Sequence, residues 1–477
     1  MAQEYASNFN LTEVTITSAD GSKTEIITDL VQRIDYFESI KLPSVVGEMT
    51  IADNAKNIIA SLPIQGLETV SIKLQTTDER DFEYNFRVYK ISRRFATDRF
   101  QTYSLGLIRT VVLVNETQKV SERLEGTPDE IVNKLLEDYL NVSGIEGDSV
   151  EKCCNKIKFF PGKRTPFAII DQLTKMSIPQ SQQKNVKGNN KANSSTNQIT
   201  GQKTTTNKLK GTAGYFFFEN YEGYHFKSID WFNDSAKNES KMTFIQENVE
   251  IGDTDTRKKI LDIDFLKEID MLDKLRKGAF SGVVAFYNIS TGSYDEFQYH
   301  TKDAFKEMKH LGDQDGVPTG QAQLAESPTR VYSVLLDHEV WNSGKEISSP
   351  EKRDGATTRA SATNEITVDQ QKHYVVQTMA RQHSLNNQKV KITVPIEPSL
   401  QVGHVIEILI PNMIPASAKD EGEGSEVYDP EHSGLYLISE INHAYDSKAA
   451  KGNTHITMIR DTYGRKGYGS KSTTVGE

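Results

Sequence analysis

Val70-Ser71-Ile72-Lys73-Leu74-Gln75 and Phe82-Glu83-Tyr84-Asn85-Phe86-Arg87-Val88 place an apolar side chain at every second position. A period of two is the period of a strand with one packed face and one wet face. The same alternation extends outward in both directions. Val14 and Ile16 alternate with Glu13, Thr15 and Thr17, and Ala19-Asp20-Gly21-Ser22 supplies a turn before Ile26 and Ile27. Tyr103, Leu105 and Leu107 repeat the pattern ahead of the apolar run Val111-Val112-Leu113-Val114. Four or more such strands within about a hundred residues predict a small barrel or sandwich.

The period changes near residue 127. Thr127 and Glu130 have the spacing of a capping box with Pro128 at the first helical position, and Ile131, Val132, Leu135, Leu136, Tyr139 and Leu140 share one helical face. A second helix is predicted from Thr165-Pro166, with Ile169, Leu173 and Met176 on one face, ending before Pro179. Ser181 to Lys210 carry almost no apolar side chain, so an exposed, mobile excursion is expected; Ser343–Asn364 and the acidic Ala416–Glu426 read similarly. Between the polar stretches, Gly214 to Phe226 read as an aromatic hairpin turning near Glu222-Gly223. Residues 264–277 read as a helix stopped by Gly278, and a strand resumes over Gly282–Tyr287. The C-terminal third returns to strands, at Val390–Ile396, Val402–Ile408, Leu435–Ile438 and Thr454–Ile459. The predicted fold class is α+β, predominantly β.

At 477 residues the chain exceeds the size of a single core, so several domains are expected. Sixty-six acidic against 56 basic side chains leave a net charge of −10, which disfavours general affinity for a phosphate backbone. Cys153 and Cys154 are the only cysteines. They can form neither a disulfide framework nor a zinc site, and reduced thiols are expected. Met1-Ala2-Gln3-Glu4-Tyr5 lacks the basic and apolar regions of a secretory leader, and no stretch approaches the roughly 20 apolar residues that span a bilayer.

Chemical motifs are sparse. No phosphate-cradling glycine loop, Gly-x-Ser-x-Gly elbow or His-Glu-x-x-His occurs. Asp253, Asp255, Asp262 and Asp264 are interrupted by Lys258 and Lys259 and read as a solvated helix start rather than a calcium loop. His432, His443 and His455 read as polar strand positions, Asp313-Gln314-Asp315-Gly316 as a turn, and the aromatics of 215–226 as core. No catalytic residue, cofactor-binding residue or metal ligand is assigned, and the chain is expected not to be an enzyme.

Four stretches together resemble the central baseplate hub proteins of contractile-tailed phages, the superfamily of the late control D proteins and the N-terminal part of type VI secretion spikes. They are the hairpin Gly214–Ile229, the loop Phe159-Phe160-Pro161-Gly162-Lys163-Arg164-Thr165-Pro166-Phe167, the strand Gln401-Val402-Gly403-His404-Val405-Ile406, and the closing segment Gly434-Leu435-Tyr436-Leu437-Ile438 through His443 to Arg460-Asp461. In the third, His404 stands where an acidic residue is commoner.

The resemblance implies a first tube-type β-barrel over 1–115 and a small α/β domain over 116–211. A second, discontinuous barrel would comprise 212–236 and 366–465, with an inserted domain over 240–365 and a tail over 466–477. It implies a homotrimeric ring that adapts a sixfold tail tube to a threefold spike. The implied partners are further copies of the chain, the tail tube protein above, the central spike protein below and neighbouring baseplate wedge proteins. DNA would be present only in transit through the conduit, with no cofactor and no direct membrane insertion. The implied location is the virion tail baseplate, assembled in the host cytoplasm. The alternatives are a spike or effector-carrying subunit of a type VI-like system, against which only Thr462–Glu477 follow Asp461, and a tail-associated peptidoglycan hydrolase.

Overall fold

In a computed structural model of the chain, the described residues are 7–53, 58–62, 64–97, 100–183, 194–196, 203–205, 207–209, 211–234, 242–246, 256–267, 270–288, 293–312, 323, 326–336, 368–411 and 428–464. The chain is predominantly β, and among the described residues thirteen strands join one sheet. Its path runs from Asp262–Lys267 through Gln388–Pro395, Lys451–Arg460 and Gly434–Asp446 into Val31–Ser39, Val46–Asp53, Gln101–Ile108, Asp81–Ala96, Thr69–Thr76, Phe9–Thr17 and Thr24–Ile26. Val405–Leu409 branches onto Gly434–Asp446, and Thr243–Ile245 pairs parallel to it. The alternation that predicted strands is the burial pattern observed: Val70, Ile72, Leu74, Phe82, Tyr84, Phe86 and Val88 all point into the first core.

The two expected barrels are corrected in two respects. Among the described residues neither is closed by a ladder, and they are not separate sheets. The first set of strands curls until Phe9 N–H donates to Ala450 O at 3.3 Å and Gly452 N–H to Ser7 O at 2.7 Å. The second curls until Ile260 N–H reaches Ile245 O at 3.0 Å and Leu261 N–H reaches Thr393 O at 2.8 Å. The strand Gly434–Asp446 is long enough to serve both curls. Leu437 to Asp446 pair with Lys451–Arg460, while Glu440 to Asp446 pair on their other edge with Arg33 to Ser39. A slip between Ile438 and Glu440 bends it where it passes from one curl to the other.

Between these curls sits the helical unit. Pro128–Leu140 and Pro166–Met176 bury Ile131, Leu135, Leu136, Ile169 and Leu173 in a third core, and Glu130 accepts from Thr127 N–H at 2.9 Å as the capping box requires. The run Val111–Val114 is not a strand continuation but part of the helix Thr110–Thr117, whose half-buried valines pack on that same core. The aromatic strands Tyr215–Asn220 and Gly223–Ser228 form a two-stranded sheet of their own rather than joining the second curl. Their two faces serve different cores: Tyr215, Phe217 and Phe226 pack on the helices, Phe218 on the second curl. Each such fully buried aromatic contributes about 1.5–3 kcal/mol of transfer free energy.

The span expected as an insertion contributes to the sheet it was expected to interrupt. Thr243–Ile245 and Asp262–Lys267 are strands of the second curl, the latter paired with Lys389–Thr393. Asp262 and Asp264 therefore lie on a strand, and the helix is only Met271–Lys277, capped by Asp270 and ended by Gly278 at φ 71°. A four-stranded sheet follows, in the order Asn207–Leu209, Ser293–His300, Ser281–Asn288, Arg330–Leu336. Its first strand comes from the stretch expected to be an excursion, which also holds the pair Ser194–Thr196 and Lys203–Thr205. The helix Val368–Ser384, unforeseen in the sequence, buries Val376 and Ala380 against this sheet. Residues 184–193, 313–316, 343–364, 416–426, Asp253 and Asp255 lie outside the described residues.

The helix Val368–Ser384 is anchored by Arg381, which is 1% exposed between the carboxylates of Asp230 and Asp461. Removing one partner from such a buried ionic group costs about 3–5 kcal/mol, because the remaining charge has lost its water as well as its counter-ion. Arg381→Leu is expected to lower unfolding free energy by about that amount in urea titrations of the full chain. A loss below about 1 kcal/mol would be that of an exposed ion pair and would contradict the anchoring role.

Candidate assembly joint and exposed strand ends

Three of the four stretches that carried the family resemblance converge on the joint between the units; the fourth, Phe159–Phe167, stays with the helical unit, where Val120 N–H donates to Arg164 O at 3.0 Å and Phe167 N–H to Asn115 Oδ1 at 2.9 Å. Gly403 has φ 87°, and a Cβ there would lie 2.8 Å from Phe218 Cζ and 3.1 Å from Phe232 Cε1. Two requirements, left-handed backbone and ring contact, thus select glycine at that turn. His404 Nδ1 accepts from Gln401 N–H at 3.2 Å. An acidic side chain at this position has the same accepting capacity, so the departure from the family pattern keeps the turn's hydrogen bond. In the hairpin, Asn220 Oδ1 accepts from Glu222 N–H at 3.0 Å and Gly223 N–H at 3.2 Å, closing the two-residue turn.

Arg460 and Asp461 close the chain's last strand from opposite sides. Arg460 lies over the Tyr436 ring at 4.4 Å and donates to Gln388 Oε1, Ser433 O and Glu431 O. Asp461 Oδ2 receives Arg381 Nη1 at 2.6 Å and meets His310 Nδ1 at 2.7 Å, while its Oδ1 accepts from Leu311 N–H at 3.3 Å. Arg381 Nη2 donates to Asp230 Oδ1 at 2.9 Å and to Lys309 O. Four segments therefore meet at one guanidinium: the hairpin's following helix Ile229–Asn233, the inserted unit, the helix Val368–Ser384 and the end of the last strand. Burial pushes the Asp461 carboxyl up, but Arg381 and His310 outweigh it and hold it well below the carboxylate range. For Asp230 burial wins, and its carboxyl stays raised despite Arg381.

A second polar centre joins the first curl to the rest. Glu38 is 2% exposed and accepts from Tyr36 OH at 2.8 Å and from Val402 N–H at 2.9 Å. Glu219 accepts from Ser44 Oγ at 2.5 Å and Val45 N–H at 3.1 Å, with Arg109 Nε 3.4 Å away. Arg80 reaches Glu397 at 2.9 Å. Burial lifts the Glu38 carboxyl to about 7, against the pull of Val402 and Tyr36. Burial also lowers two histidines to about 4, His225 beside Lys227 and His443 between Thr454 Oγ1 and Leu400 O.

The other residues singled out in the sequence stay apart. His432 pairs with Asp429 at 2.6 Å and His455 with Thr393 Oγ1 at 3.0 Å, while His443 is held by Thr454 Oγ1 and Leu400 O. Burial pushes the Cys153 thiol well up, the inert side of cysteine reactivity. Among the described residues no three His, Cys, Asp or Glu side chains gather where a metal ion could sit. The aromatic hairpin is core: Lys227, its one cation, is spent over the Trp231 ring at 3.3 Å. Two open cavities flank the joint. One, of about 490 Å³, is lined by Lys41, Asp171, Lys175, Tyr215 and His383, and the other, of about 320 Å³, by Phe218, His225, Lys227, Trp231 and His404.

What sequence reasoning missed is the Arg381 cluster. The signal was present as His373, Gln377 and Arg381, four residues apart on one helix, but a polar stripe at that spacing ordinarily faces water. Here the stripe is buried.

No protein-family model matches the chain, and no curated protein matches it. Solved structures do resemble it. They are phage and prophage tail, baseplate and type VI secretion proteins. A tail protein from Neisseria meningitidis MC58 is 10% identical, with 95% of this chain and 97% of that chain covered and a TM-score of 0.49. The 43 kDa tail protein of prophage MuSo2 from Shewanella oneidensis is 10% identical over 94% and 98%, at 0.47. A Francisella PdpA-VgrG complex is 9% identical over 96% of this chain and 54% of that chain, at 0.43. At such identities and scores these likenesses assign neither a family nor an activity to the chain.

Glu38 sets a pH dependence with a defined sign. Its folded carboxyl is raised from 4.5 to about 7, so the folded state binds the proton more tightly and stability falls as pH rises between those values. Glu38→Gln removes that loss, which amounts to about 3 kcal/mol at its ceiling. The melting temperatures of wild type and variant should therefore separate in favour of the variant between pH 5 and pH 8. Parallel curves would show that Glu38 is not destabilised by its burial.

Proposed function

We propose that the chain is a ring-forming hub of a contractile-tail baseplate, three copies adapting a sixfold tail tube to a threefold spike around a passage for DNA. The observation that carries this reading is the shared hairpin. Gly434–Asp446 and Lys451–Arg460 weld two curled β units into one continuous sheet, so each chain presents two such units in a fixed relation. Three chains then present six positions on one side while keeping threefold symmetry on the other. The motifs that resemble the hub family support the same reading, because Gly403, the aromatic hairpin, Arg460 and Asp461 all build that joint. The role is structural rather than catalytic: the polar side chains at the joint are occupied in holding segments together. The partners are further copies of the chain, a tube protein, a spike protein and surrounding baseplate subunits, and the location is the virion tail.

A conduit must not hold what passes through it. With 66 acidic against 56 basic residues the ring repels phosphates at long range. Light scattering and negative-stain imaging of the purified protein are expected to give a trimer with a central hole. Duplex DNA is expected to bind only weakly at low salt and not at about 150 mM, where an affinity tighter than about micromolar lies beyond typical non-specific binding. A monomer at high concentration argues against the ring. Tight DNA binding at that salt argues against the conduit, and clearing of cell walls in a zymogram argues against a purely structural role.

A further inference from the structure

Two exposed strand ends have opposite chemistry, and nothing at the buried joint accounts for either. The strand Asp81–Ala96 outruns its neighbour: its ladder with Thr69–Thr76 ends at Arg87, Val88 still bonds to Leu67 and Glu68, and beyond that its partner among the described strands is Gln101–Ile108. Past Val88 it leaves the core, so that every residue from Tyr89 to Thr97 is exposed except the half-buried Ser92. Yet Tyr89 (49% exposed), Ile91, Phe95 (60%) and, across the turn, Phe100 are large and apolar. The only charges between 89 and 97 are Lys90, Arg93 and Arg94. Arg93 touches Glu48 at 3.3 Å but stays 77% exposed.

At the far end of the same sheet, Asp262–Lys267 is the terminal strand of the path. Leu261, Phe265 and Leu266 are exposed there, as are Asp262 and Asp264; no basic residue falls between 261 and 266, and Lys391 stands across from Asp264 on the neighbouring strand. A terminal strand with an apolar surface is a liability unless something covers it.

We propose that these are the two halves of one head-to-tail interface, the basic aromatic strand end of one copy docking on the acidic apolar edge of a second copy. The inference rests on the ring reading and specifies its contact. A patch meeting a different patch, rather than itself, is the geometry that closes a ring of three. Charge complementarity selects the pairing: copies with net charge −10 repel one another in general, while two guanidinium-bearing and one ammonium-bearing side chain attract two carboxylates locally. The aromatic rings and leucines supply the dry centre, and the ion pairs its orientation. The contact is made by side chains and not by a continued ladder. Arg93 sits at φ 51° within a register slip between Ser92 and Phe95, and the facing strand slips between Phe265 and Lys267.

Charge reversal tests the pairing on the full chain. Arg93→Glu with Arg94→Glu, and separately Asp262→Arg with Asp264→Arg, are expected to raise the trimer dissociation constant at least ten-fold by light scattering. The circular dichroism spectrum should stay that of the wild type, showing that each variant still folds. Combining all four substitutions in one chain is expected to restore the trimer. A trimer that persists in either reversal, or loss in both without recovery in the combination, overturns this pairing and leaves the ring reading intact. A wild-type chain that is monomeric throughout overturns both.

Discussion

A single guanidinium removed from water governs how the parts of this chain fit. Arg381 can be buried only if carboxylates meet it, and those carboxylates come from Asp230 and Asp461, about 150 and 80 residues away along the chain respectively. Bringing them together fixes the helix after the aromatic hairpin, the inserted unit and the last strand in one arrangement. The Coulomb attraction barely exceeds the desolvation it requires, so the cluster adds little net stability over an apolar equivalent. Its value lies in specificity: any other docking of these segments leaves a buried charge alone.

The second constraint is the length of Gly434–Asp446. Thirteen residues let one strand form edges in both curls, and the slip at Ile438 allows the bend between them. Because the two curls share backbone hydrogen bonds, neither can rotate against the other without breaking the ladder. Glu38 and Glu219 reinforce the same boundary from the side of the first curl, each accepting backbone N–H groups that the joint would otherwise leave buried without partners. The raised Glu38 carboxyl follows from that arrangement, because where water is excluded the protonated form is favoured.

Local patterning is where the sequence was most informative. Period-two alternation located the strands of the first curl, and the Thr127–Glu130 capping box and the Thr165-Pro166 start located both helices of the α/β unit. It failed where tertiary contact overrides propensity. Asp262–Lys267 is a strand because it pairs with Lys389–Thr393, although its acidic residues suit a helix start. Val111–Val114 is helical because the helical unit's core needed covering, although β-branched runs favour strands.

The sequence by itself determined the predominantly β, α+β fold class, the turns at Ala19–Ser22, near Glu222-Gly223 and at Gly278, and the aromatics that flank the hairpin. These are local properties, decided by backbone sterics and by which side of a strand or helix is apolar. The tertiary structure alone decided that the two β units are one sheet, that the polar stripe His373-Gln377-Arg381 faces inward, and that among the described residues the strand ends carrying Arg93–Arg94 and Asp262–Asp264 are exposed. A buried polar stripe and a solvent-facing one are written with the same residues at the same spacing. What separates them is whether counter-charges from distant segments arrive, and that depends on long-range contacts that no local pattern encodes.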